Sequence, residues 1–128
     1  MGSGPNYVLY RPYHLTSLET PITIYDACVN HKATIAPTEG IVTEVITIAK
    51  KDLKAGDILD GIGGYTVYGS LEEYEKAKVE NLVPIGLIEN AKVLKDIKKG
   101  ETINYNMVKL DTSTEIYKLR ERQNKEIG

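Results

Sequence analysis

The chain has 128 residues, of which 41% are hydrophobic, which is enough for one domain core. Its formal net charge of -2, from 16 basic and 18 acidic residues, disfavours nucleic acid and anionic membranes as partners. A single cysteine and two histidines argue against an internal disulfide and against a metal site, so we expect no metal.

The aromatic composition is unusual, with nine tyrosines and neither phenylalanine nor tryptophan. Every large aromatic side chain therefore carries a hydroxyl group that needs a hydrogen-bond partner when it is buried. No signal-peptide pattern and no apolar stretch of membrane-spanning length occur, so we expect a cytoplasmic protein without a membrane partner.

The N-terminal stretch is dense in groups that bind ligands or protein surfaces. Arg11, Tyr13 and His14 follow Tyr7 and Tyr10, and a guanidinium can hold a carboxylate or phosphate at two points. These residues are candidates for a substrate site. An equally open interpretation is an extended arm that tyrosine hydrogen bonds hold against a partner surface.

A first helix is predicted to start at Thr20, with Pro21 in its first position. Cys28 and His31 are three residues apart, a spacing compatible with a thiolate–imidazole pair. The favoured interpretation is a packed apolar cysteine beside an exposed histidine.

An internal repeat dominates the middle of the chain. KDLKAGDIL begins at Lys51 and returns as KDIKKGETI at Lys95, an offset of 44 residues. Each copy holds a Lys-x-Gly-acid turn, in which Gly56 and Gly100 are expected to take positive φ. Two copies predict a pseudo-symmetric, intertwined β domain, because a solenoid needs about three or more repeats.

Lysines crowd the repeat turns and their surroundings, and acidic residues interleave with them. The lysines are Lys50, Lys51, Lys54, Lys92, Lys95, Lys98 and Lys99. An anion-binding patch is one interpretation, and a solvated mixed-charge turn is the favoured one.

Strands are predicted at 41–49, rich in β-branched residues, and at 103–110. The stretch DGIGGYTVYG lies between them, with Gly61, Gly63 and Gly64 ahead of an alternating segment that contains Tyr65 and Tyr68. It lacks the third glycine of a dinucleotide fingerprint, so it predicts a turn entering a strand. The two tyrosines are candidates for a substrate site or an interface.

Two further helix starts are predicted from capping boxes. Ser70 with Glu73 indicates one helix, on which Glu72 and Lys76 are four residues apart. Thr112 with Glu115 indicates a second, a C-terminal helix with one apolar edge, Ile116 and Leu119.

Taken together, these motifs resemble known families. VITIAKKDLKAGDIL and AKVLKDIKKGETINYNMVKLD resemble the SAF domain, an antifreeze-like module with a β-clip fold. YRPYHLTSLE and DGIGGYTVYG make the chain similar to the C-terminal part of NAD(P)-dependent oxidoreductases related to homoserine dehydrogenase and to deoxyxylulose-phosphate reductoisomerase-like enzymes.

The resemblance implies a mainly β, α+β chain in three parts: an N-terminal arm and helix over 1–40, a SAF-like β-clip over 41–112 and a C-terminal helix over 113–128. It implies that NAD or NADP is bound by a separate catalytic domain, in the same chain or another one. This chain would then hold no catalytic residue and no cofactor. It would be a fragment or subunit that supports homo-oligomer assembly and borders the active site.

Two rival functions stay open. One is a stand-alone SAF module that binds a sugar acid or similar small anion through Arg11, His14 and the repeat lysines. The other, a periplasmic chaperone like that of flagellar SAF proteins, conflicts with the absence of a signal-peptide pattern.

Overall fold

The computed structural model describes residues 10, 12–36 and 40–127, in two compact units, Met1–Thr38 and Glu39–Gly128. The first unit holds one helix, α1 (Thr16–Cys28). The elements of the second unit are, in chain order, β1 (Thr43–Ala49), β2 (Val67–Glu73), α2 (Tyr74–Val79), a single 3-10 turn (Ile85–Leu87), β3 (Lys92–Val93), β4 (Val108–Lys109) and α3 (Glu115–Ile127). The predicted α+β class is confirmed, but the described residues contain more helix than strand, so the expectation of a mainly β chain is wrong.

Helix α1 begins at Thr16, so the predicted start at Thr20 is wrong. The carbonyl of Leu15 accepts the first hydrogen bonds of the helix, and Pro21 lies inside it. A Thr-Pro pair is a typical start signal, but the residues before it are compatible with a helix as well. Pro21 is the sixth residue of α1, where it cannot donate a hydrogen bond to the carbonyl four residues earlier and its ring crowds that carbonyl, so the helix contains it at a local cost.

The longest strand pair is antiparallel and joins β1 to β2, from Thr43 opposite Glu73 to Ala49 opposite Val67. It confirms a strand within 41–49. It also shows that the helix start predicted at Ser70 is wrong, because Ser70 lies in β2 opposite Ile46. A capping box is a local pattern, whereas the ladder with β1 satisfies the same backbone groups over the whole strand.

The helix predicted after Ser70 begins four residues later, at Tyr74, as α2. The ion pair predicted for that helix is nevertheless present, since Lys76 Nζ lies 2.6 Å from Glu72 Oε2. The pair joins the end of β2 to α2 across the boundary of the two elements. Because Glu72 and Lys76 are only four residues apart in the chain, their side chains meet although the helix starts after Glu72.

The two copies of the repeat pair with each other about a local two-fold axis. Leu53 and Ile97, equivalent positions of the two copies, exchange both backbone hydrogen bonds, of 2.8 and 3.0 Å. Both side chains are buried in one core cluster. The axis passes between these two residues, and it explains why the same nine-residue pattern occurs twice.

The same symmetry relates the hydrogen bonds further from the axis. Ala49 N donates to Glu101 O in one half, and Val93 N donates to Asp57 O in the other. The two bonds are equivalent, because the donors Ala49 and Val93 are 44 residues apart and so are the acceptors Asp57 and Glu101. The glycine amides of the two turns behave in the same way: Gly100 donates to Ala49 O and Gly56 to Val93 O, each at 2.8 Å. Neither half can therefore form these backbone hydrogen bonds without the other.

The turns of the two copies are built alike. Asp57 accepts a hydrogen bond from Lys54 N, and Glu101 accepts one from Lys98 N, each at 2.9 Å. Gly56 has φ 100° and Gly100 has φ 83°, as predicted, and the other turn glycines with positive φ include Gly61 at 78° and Gly63 at 80°. An acidic side chain one residue after the glycine thus closes each turn.

Helix α3 confirms the predicted C-terminal helix, although its cap differs from the prediction. Tyr117 N donates to Thr114 Oγ1 at 3.4 Å, so Thr114 takes the place expected of Thr112. Upstream, only Val108–Lys109 of the predicted strand 103–110 is a strand, and isolated bridges at Thr102 and Asn104 precede it. Across the described residues, no helix has both the length and the apolar character of a membrane span.

Candidate functional site

The N-terminal candidates lie in the first unit. Tyr13 and His14 are exposed just before α1, and His14 Nδ1 is 3.3 Å from Glu19 Oε2. Arg11 lies outside the described residues. A substrate site formed by these three residues stays a prediction.

Cys28 and His31 show no sign of a reactive pair. The Cys28 thiol is exposed, which is contrary to the packed position expected for it, because none of the residues of α1 is buried. His31 follows the helix with a left-handed backbone, φ 50°. Within the part of the chain that the structure describes, no three His, Cys, Asp or Glu side chains gather as a metal site would require.

Lysines of the repeat turns are paired across the two-fold axis. Lys54 Nζ lies 2.6 Å from Asp96 Oδ2, and Lys98 Nζ lies 3.5 Å from Asp52 Oδ2. The hydrogen bond from Lys54 lowers the pKa of Asp96, and the backbone N–H of Lys99 lowers that of Asp52. The mixed-charge turn is confirmed for Lys54 and Lys98, and these two lysines are not free cations for a sugar acid.

The stretch DGIGGYTVYG folds around its own carboxylate. Asp60 accepts hydrogen bonds from Tyr65 N at 2.5 Å, from Thr66 N at 3.1 Å and from the Thr66 hydroxyl. The Thr66 hydroxyl in turn accepts one from Asp60 N at 3.1 Å. These bonds, the Thr66 hydroxyl first, hold the pKa of Asp60 down at about 2. An internal anion thus occupies the backbone donors that a phosphate would need.

Gly64 completes this loop through space rather than through its φ angle. A Cβ atom at Gly64 would overlap the Asp60 carboxylate, so only glycine permits the closure. The Gly64 carbonyl also accepts a hydrogen bond from Lys50 Nζ at 2.7 Å. The residues do not fit the pyrophosphate of a dinucleotide, and the stretch is a turn that enters β2.

Tyr65 and Tyr68 lie on either side of two consecutive buried residues, so the segment does not alternate strictly between buried and exposed positions. Thr66 and Val67 are both buried, whereas Tyr65 is 85% and Tyr68 42% exposed. Thr66 turns inward because its hydroxyl group bonds to Asp60. Both tyrosines are available to a partner, and their predicted role at a substrate site or an interface stays a prediction.

The Asp60 loop predicts a pH-dependent stability difference. At neutral pH, Asp60→Asn is expected to melt at a lower temperature than the wild type, because an amide oxygen cannot replace a carboxylate that accepts three hydrogen bonds. The folded pKa of about 2 lies below the ordinary 3.8, so the stabilisation is fully present above about pH 4 and is lost as the pH falls through about 2. Thermal melts by circular dichroism should show the gap narrowing over that range. Glu75→Gln, at an exposed position of α2, is the control, and a gap that stays constant with pH would contradict the assignment.

A groove that the sequence did not predict lies between α2 and α3. We name it the tyrosine groove after Tyr74, Tyr105 and Tyr117, which line it together with residues of β1, α2 and α3. Its volume is about 360 Å³. This volume is near the lower end of the range for small-molecule sites.

The end of α2 positions two of the lining residues. Asn81 follows the helix with φ 57°, and its carbonyl accepts a hydrogen bond of 3.0 Å from Tyr105 N. Leu82 N donates back to Ala77 O at 2.9 Å, which closes the helix. Tyr105 is therefore tied by its backbone to the left-handed turn that ends α2.

An ion pair holds α3 on the other side of the groove. Arg120 of α3 donates from Nη2 to Glu44 Oε2, and from Nε to Asn124 Oδ1 at 2.9 Å. Glu44 also accepts from Val45 N at 3.0 Å. The side chains are 17% exposed for Arg120 and 11% for Glu44, so the pair is nearly withdrawn from water. Such a pair is costly to break from one side only.

Burial changes the chemistry of Tyr105. Loss of solvent raises the pKa of its hydroxyl to about 12, an effect that the nearby Arg120 partly opposes. Tyr105 thus remains a neutral hydrogen-bond donor over the physiological pH range. Lys78 stands at the rim, with Nζ 5.7 Å from the centre of the Tyr74 ring.

Two signals in the sequence could have indicated this site. Glu44 lies two residues before the apolar Ile46, and in a strand these side chains point to the same face. A carboxylate on a core-facing side requires a cation, which here comes from Arg120, 76 residues later. The excess of tyrosines was the second signal.

The chain matches no protein-family model and, at a significant level of similarity, no curated protein.

Proposed function

We propose that this chain is a non-catalytic assembly domain with a SAF-type β-clip core, which serves an NAD(P)-dependent oxidoreductase as its C-terminal part or as a separate subunit. The antiparallel pairing of Leu53 with Ile97 supports a clip made of two related halves. The loop closed by Asp60 supports a structural rather than a nucleotide-binding role for DGIGGYTVYG. Dinucleotide binding and hydride transfer belong, in this proposal, to another domain.

The observation that carries the proposal is an apolar seam along α1. The seam consists of Leu15, Leu18, Ile22, Tyr25 and Val29, all of them exposed. Their spacings alternate between three and four residues, as in the first and fourth positions of a heptad, which places Leu18, Ile22 and Tyr25 on one side of α1. Leu15 and Val29 come directly before and after the helix. None of the residues of α1 is buried.

A helix of this length requires packing to be stable. Isolated helices shorter than about 12–15 residues are marginal in water, and α1 has 13 residues. Burying each seam side chain stabilises by about 1.5–3 kcal/mol. A second copy of the chain presents the same seam, so a symmetric dimer would bury both seams at once. We therefore assign assembly to α1 and a homo-oligomer to the protein.

The assembly role is tested by sedimentation equilibrium of the full chain and two variants. Ile22→Glu puts a charge on the seam and is expected to weaken self-association by at least about tenfold. Ile24→Glu is the matched control, with the same substitution two residues away and off the seam. The two isoleucines are 61% and 57% exposed, so exposure alone cannot separate the variants. A monomeric wild type, or equal weakening by both variants, would contradict the proposal.

The non-catalytic role has its own measurement. The pure chain is expected to leave NADH and NADPH unoxidised in the presence of small hydroxy acids, keto acids and sugar phosphates. Turnover that survives repeated purification and is lost on unfolding the chain would refute this part of the proposal. Self-association and turnover are measured separately, so the assembly role and the non-catalytic role can each be refuted without the other.

A further inference from the structure

We propose that the tyrosine groove is a binding site for an uncharged polyhydroxylated ring of the monosaccharide class. This site is separate from the seam of α1, and it does not depend on assembly. It lies within the second unit, in the space lined by residues of β1, α2 and α3. The inference follows from the charges, the aromatic surface and the hydrogen-bonding groups of the groove.

The charges that line the groove cancel. Arg120 is committed to Glu44, and Glu121 adds a negative charge to balance Lys78 at the rim. An anionic ligand would find no surplus positive charge in the groove, and a cation would find no surplus negative charge. Coulomb attraction therefore favours neither, and a neutral ligand avoids the cost of removing a charge from water.

Aromatic surface suited to a sugar ring comes from three segments of the chain. Tyr105 and Tyr117 are partly buried and line the groove, while Tyr74 is buried and forms part of the groove wall. Tyrosine combines an apolar ring with a polar tip, which matches a sugar ring that has apolar C–H faces and hydroxyl groups at its edge. The volume of about 360 Å³ suits a small ligand rather than a polymer.

Donors and acceptors for hydroxyl groups line the same space. The Tyr105 hydroxyl stays protonated because burial raises its pKa to about 12. Asn81 and Asn124 contribute side-chain amides, and Asn124 uses its oxygen for Arg120, which leaves its two N–H donors. A hydroxyl group can donate and accept at once, so a polyol satisfies amides, a phenol and the Glu121 carboxylate together.

The test is a titration of the ¹⁵N-labelled full chain, followed by amide chemical shifts. The probes are glucose, galactose, mannose, xylose and myo-inositol, with glucuronate as the charged counterpart of glucose. At least one neutral probe should shift the amides of Asn81, Tyr105 and Tyr117 at millimolar concentration, and glucuronate should bind no more tightly than glucose. Absence of shifts with all five neutral probes, or clearly tighter binding of glucuronate, would overturn the proposal.

Two variants locate the binding without disturbing the fold. Tyr105→Phe removes only the hydroxyl group, and Asn81→Gly removes the side chain while keeping the left-handed backbone that glycine tolerates. Each is expected to weaken binding by roughly three- to tenfold, the effect of one lost hydrogen bond.

The matched controls are Tyr65→Phe on the exposed Gly/Tyr stretch and Asn90→Gly, another left-handed asparagine, with φ 60°, outside the groove. Both should bind like the wild type. Unchanged binding in Tyr105→Phe and Asn81→Gly would place the ligand elsewhere and refute the assignment.

Discussion

Alanine at Leu53 or at Ile97 is expected to destabilise the protein by about 2–5 kcal/mol, the usual cost of emptying a well-packed core position. Each side chain is 1% exposed. Because the two residues are equivalent positions about the local two-fold axis, the two substitutions should cost similar amounts. Small domains are stable by only about 5–15 kcal/mol in total, so either substitution should remove a large fraction of the stability.

Urea denaturation followed by far-UV circular dichroism measures the effect, with the m-value checked for constancy. Leu94→Ala is the matched control, because Leu94 is 52% exposed and follows buried Val93 in the same region. It should lose less than about 1 kcal/mol. The cost of the double variant at Leu53 and Ile97 should differ from the sum of the two by about 0.5–3 kcal/mol, since directly paired sites are rarely additive. A Leu53 variant as stable as the Leu94 variant would contradict the central position of the axis.

Arg120→Ala is expected to destabilise the attachment of α3 by about 2–3 kcal/mol. The substitution leaves the Glu44 carboxylate nearly buried without its cation, and the rest of the cost comes from lost packing of the arginine stem. The estimate stays below the value for fully buried pairs because both side chains retain some exposure. Helix α3 should then separate from a core that remains folded.

Hydrogen exchange distinguishes that result from global unfolding. Amides of α3 should lose protection in Arg120→Ala, whereas amides of β1 should keep theirs. Arg122→Ala is the control two residues away, where an exposed pair with Glu126 contributes little. Replacing Glu44 by leucine together with Arg120 by methionine should restore much of the stability. Equal loss of protection in β1 and α3 would show instead that α3 is part of the same cooperative unit.

Local patterns predicted several elements correctly. The β-branched residues of 41–49, the glycines after Lys54-Ala55 and Lys98-Lys99, and the amphipathic tail each specify backbone angles through consecutive residues. Such preferences act within a few residues and do not depend on the rest of the fold. The 44-residue repeat likewise indicated two related halves before their pairing was known.

One error arose where a local pattern competed with a distant contact, and another where it competed with an earlier helix start nearby in the chain. Ser70 and Glu73 form a good capping box, but the ladder from β1 supplies backbone partners along all of 67–73 and makes the segment a strand. Thr20-Pro21 is a typical helix start, but the carbonyl of Leu15, close by in the chain, accepts the first hydrogen bonds and α1 begins at Thr16. A distant strand decided the outcome at Ser70, and neighbouring residues decided it at Thr20.

By itself, the sequence determined the repeat, its glycine turns, the main strand and the terminal helix, since these depend on residues close together in the chain. Only the tertiary structure decided that Asp52 accepts a hydrogen bond from Lys99 N and Asp96 accepts one from Ala55 N across the two-fold axis. It likewise decided that Glu44 pairs with Arg120, 76 residues away in the chain. It alone brought the tyrosines of three segments into one groove. The physical reason is that contacts between distant residues depend on how the whole chain closes, and no short pattern encodes that closure.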